Sequence, residues 1–222
     1  MLKAIIFDLD GVICFTDEYH YSAWKTLADQ LGIYFDREIN NRLRGVSRME
    51  SLDIILSYKP DMVLSVSQKE TLAQQKNTLY KKSLALLSPA NLSPEVKNTL
   101  AILRERGFLL AIGSSSKNAP YILERLGLAG YFDAISDGNN ITHSKPNPEV
   151  FIKAAEMMGL TPSECLVVED AISGAKAGLA GGFKVACVGD AAKALAGDFN
   201  LKSFNELLNV TAALAIFAES GT

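Results

Sequence analysis

Cysteine, histidine and tryptophan are scarce in this 222-residue chain, at three, two and one residue respectively. Cys14, Cys165 and Cys187 are odd in number, lie far apart and form no CxxC pair, so neither a disulfide framework nor a zinc site is expected. Positive charge is not in excess either. Lys and Arg total 22 against 25 Asp and Glu, a formal net charge of −3, and the broad positive field that a nucleic-acid partner needs is missing. Any phosphate the chain handles must be gripped by a local site. Long hydrophobic runs are missing as well. The apolar start, residues 1–7, is broken by Asp8 and Asp10 short of signal-peptide length. Residues 207–217 are interrupted by Asn209 and Thr211 and are too short to span a bilayer. A cytoplasmic protein with no membrane partner is expected, and the Asn-x-Ser/Thr matches at Asn91, Asn140 and Asn209 then carry no glycosylation meaning. Repeats and low-complexity tracts do not occur.

Hydrophobic residues make up 48% and charged residues 21%, a balance that excludes a disordered chain and supports a sizeable core. The length allows one large domain or one domain carrying an insertion. Four apolar runs of strand length occur at residues 3–7, 108–112, 165–168 and 183–188, with helical patterns between them. Such runs indicate an α/β domain built on a parallel sheet. Each run ends in polar or acidic residues, and in open parallel sheets ligands bind at that edge, so four distant segments are expected to converge on one site. Between the first run and the second, the pattern is helical, over residues 18–31, 37–43, 48–58 and 67–86. Ser67 with Glu70 predicts a capping box opening the last of these. Residues 15–90 therefore read as an α-helical cap domain inserted into a core of residues 1–14 and 91–222. The breaker-rich segment 88–94 would be the return linker.

The chemistry-bearing residues sit at the ends of the runs. Asp8-Leu9-Asp10-Gly11 follows the first directly, and two carboxylates two residues apart can divide labour as nucleophile and general acid/base. Glu169-Asp170 supplies hard oxygen ligands suited to Mg²⁺. Lys145 offers a point positive charge in a loop stiffened by Pro146 and Pro148, and Ser114 offers a hydroxyl. A nucleophilic carboxylate, a metal, a cation and a hydroxyl meet the needs of phosphoryl transfer, in which charge on the equatorial oxygens must be neutralised.

Together Asp8-Leu9-Asp10-Gly11, Ser114, Lys145-Pro146 and Glu169-Asp170 resemble the four motifs of the haloacid-dehalogenase superfamily of aspartyl-phosphate enzymes. The resemblance implies a Rossmann-like parallel-sheet core with the helical insert as its cap. It also implies that Asp8 becomes phosphorylated and that Asp10 supplies the proton to the leaving group. Mg²⁺ would be held by Asp8, the Asp10 carbonyl, Glu169 and Asp170, with Ser114 and Lys145 bracing the transferring phosphate. An acid at position 10 argues against carbon–halogen cleavage.

Within the superfamily, Thr16 with His20 and the stretches 43–52, 114–120 and 130–135 resemble the β-phosphoglucomutases. That resemblance implies interconversion of β-D-glucose 1-phosphate and D-glucose 6-phosphate through β-glucose 1,6-bisphosphate. The sugar and the phosphate not being transferred would be held by Thr16, His20, Arg44, Gly45, Val46, Arg48, Ser51, Ser115, Ser116, Lys117 and Asn118. A mutase must grip two phosphates at once. Arg48 can do so bidentately, and residues 116–118, opening a helix, would add backbone N–H groups and the helix dipole. Arg44 stands where these mutases usually carry Lys, and an arginine cannot form the Schiff base of the related phosphonoacetaldehyde hydrolases. By resemblance, His20 also helps to position Asp10 as the cap closes. His143 reads as a loop residue, Tyr21, Trp24 and Leu27 as cap packing, and Cys14 as a small apolar residue. A small phosphosugar substrate and a monomer are expected. The alternatives are a Mg-dependent sugar-phosphate phosphatase and a non-catalytic phosphosugar-binding module.

Overall fold

The apolar runs become strands because each is apolar on both faces and has no polar side to turn to water. In the computed structural model, residues 1–219 are described. The strands are Ala4–Phe7 (β1), Leu109–Gly113 (β2), Ala134–Ser136 (β3), Cys165–Glu169 (β4), Lys184–Cys187 (β5) and Phe199–Asn200 (β6). They form one parallel sheet in the order β3-β2-β1-β4-β5-β6. Strand order reverses around β1, which has β2 on one side and β4 on the other, and this opens a crevice at their C-terminal ends.

Ten α-helices and three short 3-10 turns complete the described fold. Asp17–Gln30 (α1), Arg37–Asn41 (α2), Arg48–Leu56 (α3) and Val66–Leu84 (α4) come between β1 and β2. They are followed by Pro94–Glu105 (α5), Ala119–Arg125 (α6), Glu149–Met157 (α7), Ile172–Ala180 (α8), Gly189–Lys193 (α9) and Leu207–Glu219 (α10). Alternation along the strands sorts two layers. Ile5, Phe7, Leu110, Ile112, Leu166 and Val168 pack with Leu100, Ile122 and Leu207 on one face. Ala4, Ile6, Ala111, Val167 and Val185 pack with Phe151, Ala175 and Ala191 on the other. The architecture is a Rossmann-like α/β sandwich.

The inserted helices have a cluster of their own, built on Trp24, Leu27, Phe35, Leu52, Ile55 and Ala73. The last turns of α4 leave this cluster, since Tyr80 and Leu84 pack with Cys14 and the core instead. Trp24 and Leu27 are buried in the cap as expected, and Cys14 is a buried apolar contact. All three cysteines are buried and free. No helix among the described residues is long and apolar enough to cross a membrane.

Two strands escape the sequence pattern. β3 and β6 are three and two residues long and lie at the two sheet edges, too short to show a run. The capping box of α4 also lies two residues earlier than expected. Ser65, not Ser67, is the N-cap, accepting from Gln68 N at 3.3 Å while Gln68 Oε1 accepts from Ser65 N at 2.8 Å. Ser65 has the extended backbone a cap requires, whereas Ser67 is already helical.

Candidate active site

β1 delivers Asp8 to the crevice. The Asp8 N–H donates to Val168 O at 2.9 Å, extending the ladder by one residue before Gly11 (φ 92°) turns the chain away. Beneath Asp8, Lys145 Nζ donates to Asp8 Oδ1 at 2.5 Å and to Glu169 Oε1 at 2.6 Å. Its side chain has no exposed surface (0%), and Phe151 presents its ring 4.6 Å from the ammonium. Glu169 in turn accepts at Oε2 from the N–H groups of Asp170 and Ala171, both at 2.8 Å. Removing any member of this chain would strand a buried charge.

Burial pushes the Asp8 carboxyl up; Lys145 pulls it down again, while Glu169 and Asp10 push with burial. Asp170 is raised in the same way, by burial and then by Glu169 and Asp8, against Arg44. Burial works against the Lys145 ammonium, but Asp8 and Glu169 outweigh it and hold that group above its ordinary range. Asp8, Glu169 and Asp170 each offer one carboxylate oxygen, all within 4.8 Å of one another. Three buried carboxylates against one buried lysine and the guanidinium of Arg44 leave an excess of negative charge that a hard divalent cation relieves, and an all-oxygen donor set fits Mg²⁺. Two glycines make room for these acids. A Cβ on Gly11 would fall 2.0 Å from Asp170 Oδ2, and one on Gly174 would fall 1.8 Å from Glu169 Oε1.

Asp10 Oδ1 accepts a hydrogen bond from Thr16 Oγ1. Burial raises the Asp10 carboxyl and the Thr16 bond works against it. A carboxyl biased toward its protonated form suits proton donation to a leaving oxygen. Ser114 directly follows β2 and is buried, with its Oγ accepting from Ser116 N at 3.1 Å, so its own hydroxyl hydrogen is left to donate.

The cap supplies the opposite wall of a cavity of about 560 Å³, within the size range of small-molecule sites. Ser47 and Glu50 close a capping box that starts α3 and sets Arg48 in its first turn, at the cavity. Arg48 has no hydrogen-bond acceptor among the described residues, and burial lowers its pKa. Lys76 Nζ lies 2.9 Å from His20 Nδ1 and over the rings of Trp24 (4.7 Å) and Tyr80 (4.5 Å). Burial, then Arg48, brings Lys76 down to about 7, with Asp10 opposing. Burial, Lys76 and Arg48 likewise lower His20, leaving it neutral.

Of the residues expected at the site, Asp8, Asp10, His20, Arg44, Gly45, Val46, Arg48, Ser51, Ser114, Ser115, Ser116, Lys117, Asn118, Glu169 and Asp170 line this one cavity. Thr16 and Lys145 do not line it. Thr16 is fully buried and spends its hydroxyl on Asp10, and Lys145 lies behind Asp8. Two of the backbone N–H groups expected to face a second phosphate are already engaged, Ser116 N by Ser114 Oγ and Asn118 N by Ser116 Oγ at 3.2 Å. The Asn118 amide donates to Asn77 Oδ1 at 3.0 Å and ties α6 to the cap. His143 is an exposed loop residue whose ring lies 3.1 Å from Glu149. Lys76, Asp17, Asn40 and Tyr80 also line the cavity without having been singled out in the sequence.

These features define a class, and the chain belongs to it: the profile of the haloacid dehalogenase-like hydrolases matches residues 2–182. More particularly, it is 38% identical over 207 residues to the β-phosphoglucomutase of Bacillus subtilis (strain 168), covering 93% of this chain and 92% of that one. A crystal structure of β-phosphoglucomutase from Clostridium difficile superposes with a TM-score of 0.89 at 34% identity, covering 93% of both chains. A fructose-1-phosphate phosphatase of Escherichia coli (strain K12) is 30% identical, over 80% of this chain and 92% of its own.

Proposed function

We propose that the protein is a cytoplasmic, Mg²⁺-dependent β-phosphoglucomutase acting as a monomer on β-D-glucose 1-phosphate and glucose 6-phosphate. The observation that carries this reading is Arg48, a guanidinium with no acceptor among the described residues, set in the same cavity as Asp8. A phosphatase needs one anion site, and a mutase working through a bisphosphate needs two. Lys76, beside Arg48 in the same wall, strengthens the second.

In this reading Asp8 attacks phosphorus, forming an acyl phosphate as the sugar oxygen leaves, and Asp10 gives that oxygen its proton. In the other half-reaction Asp10 takes the proton from the 6-hydroxyl of an incoming β-glucose 1-phosphate, which attacks the acyl phosphate, frees Asp8 and forms β-glucose 1,6-bisphosphate, whose 1-phosphate Asp8 then attacks to release glucose 6-phosphate. Lys145 keeps the nucleophile's charge compensated from below, and Ser114 donates to a phosphoryl oxygen. Asp8, Glu169, Asp170 and the Asp10 carbonyl would hold the Mg²⁺, which supplies charge neutralisation at the phosphoryl group. The cap wall excludes water and so spares the acyl phosphate from hydrolysis.

The test is a product assay with each anomer of glucose 1-phosphate and a trace of bisphosphate. The expected result is glucose 6-phosphate from the β anomer alone. Arg48→Ala should reduce this flux more than it reduces hydrolysis of a small aryl phosphate. Stoichiometric inorganic phosphate with little glucose 6-phosphate would instead establish a phosphatase, the activity carried by the Escherichia coli relative's name.

A further inference from the structure

Among the described residues, Arg44 is the one cap cation ion-paired with the core. Its Nη2 contacts Asp170 Oδ2 and lies 3.0 Å from Asp17 Oδ2, while Nη1 donates to Asp190 Oδ2 at 2.9 Å. The loop that carries it is pinned by its backbone. Ser173 Oγ donates to Arg44 O and Ser115 Oγ to Gly45 O, both at 2.9 Å. Gly45 has φ 77°, and a Cβ there would fall 2.3 Å from Ser173 Oγ. This is a docked contact between cap and core, and the Arg44 side chain at its centre is only 19% exposed.

Asp170 carries one negative charge, and a second cation on the same carboxylate must share it with Arg44. Its Oδ2 lies directly under Gly11, and it is the oxygen that Arg44 holds. The same carboxylate belongs to the Asp8–Glu169–Asp170 donor set. A divalent ion drawing on Asp170 repels a guanidinium in contact with it. Asp17 and Asp190, outside the donor set, offer Arg44 somewhere else to go.

We propose that Arg44 is a positioning residue that trades Asp170 against the divalent cation, so that cation loading and cap docking weaken each other until a phosphate arrives. Linkage makes this reciprocal: a contact that costs the ion affinity is a contact the ion loosens. A phosphoryl group bound at Asp8 brings the negative charge that lets both cations stay. The protein is then open when loaded with cation alone and closed when substrate joins it. This inference rests on the acidic triad being the cation site and not on which phosphate ester is turned over.

The experiment is calorimetric titration of the full-length protein with Mg²⁺ in the absence of substrate, for wild type, Arg44→Ala, Arg44→Lys and Arg42→Ala. Arg42 makes the control because its guanidinium bonds the Tyr58 hydroxyl at 2.5 Å instead of the acids, while its loss changes net charge equally. Arg44→Ala should bind Mg²⁺ about fivefold more tightly, the equivalent of roughly 1 kcal/mol for a partly exposed pair. Arg44→Lys, with one ammonium that cannot span three carboxylates, should fall between, and Arg42→Ala should stay within about twofold of wild type. Small-angle scattering should show Mg²⁺ expanding the wild type and leaving Arg44→Ala unchanged. Equal or weaker binding by Arg44→Ala overturns the proposal, as does an Arg42→Ala shift of the same size, which would make the effect one of distant charge. Tighter binding by Arg44→Ala in a protein that only hydrolyses sugar phosphates would uphold the inference while ending the mutase reading.

Discussion

Lys76 shows how much a single side chain can carry without announcing itself. It sits in a helix reading VSQKETLAQQKNTLYKKSL, where a lysine is expected on the wet face. Yet Ala73, Lys76, Asn77, Tyr80 and Leu84 share one buried stripe, so the signal was a lysine in phase with apolar neighbours. Its pKa falls from the ordinary 10.5 to about 7, chiefly through burial. Between those values the unfolded chain holds a proton that the folded protein does not, so stability contributed by this group rises with pH across that window. Lys76→Met should therefore be more stable than wild type at and below neutral pH, and the gap should narrow toward the upper end. Urea unfolding of both proteins across the window checks this; a constant gap would show that Lys76 is not titrating there. The acids were easier to read. Asp8, Asp10, Glu169 and Asp170 stand at the ends of apolar runs, where the chain has no reason to place charge except to use it. Thr16 and Lys145 were legible as members of the site, but not their place behind it, because burial depth is a property of packing in three dimensions.

Among the elements, α8 is the most exacting. Its Gly174 lies inside a helix, where replacing glycine with alanine ordinarily stabilises by about 0.5–1 kcal/mol. Here the added methyl would stand 1.8 Å from Glu169 Oε1, forcing that carboxylate off Lys145 and off two backbone N–H groups. The overpacking should reverse the sign, so that Gly174→Ala loses about 1–3 kcal/mol and most turnover. Chemical denaturation with a paired activity assay measures both; a stabilised variant would mean the helix can shift to relieve the clash. The four interior strands were readable because each combines burial on both faces with a polar end. β3 and β6 were not, since edge strands this short are defined by hydrogen bonds to a neighbour and leave no pattern of their own. The start of α4 was misplaced because two serines two residues apart, each followed three residues later by Gln or Glu, offer equal capping boxes.

For the whole molecule, the division into a sheet with its two layers and a helical insert with a separate cluster predicts two levels of cooperativity. Leu52, fully buried in the cap cluster, is the probe. Leu52→Ala should cost about 2–5 kcal/mol. In native-state hydrogen exchange it should speed the amides of α1–α3 while leaving those of β1, β2 and β4 at wild-type protection. Equal acceleration throughout would mean that cap and core unfold as one.

Lys145 is sealed beneath Asp8 with no route to solvent, whereas Arg44, Arg48 and Lys76 all belong to the cap. The positive charge under Asp8 thus comes from the core and does not depend on where the inserted helices sit. In the proposed reaction an acyl phosphate on Asp8 would keep that ammonium as its neighbour, because the lysine is held from the sheet side of the cleft and not by the inserted helices.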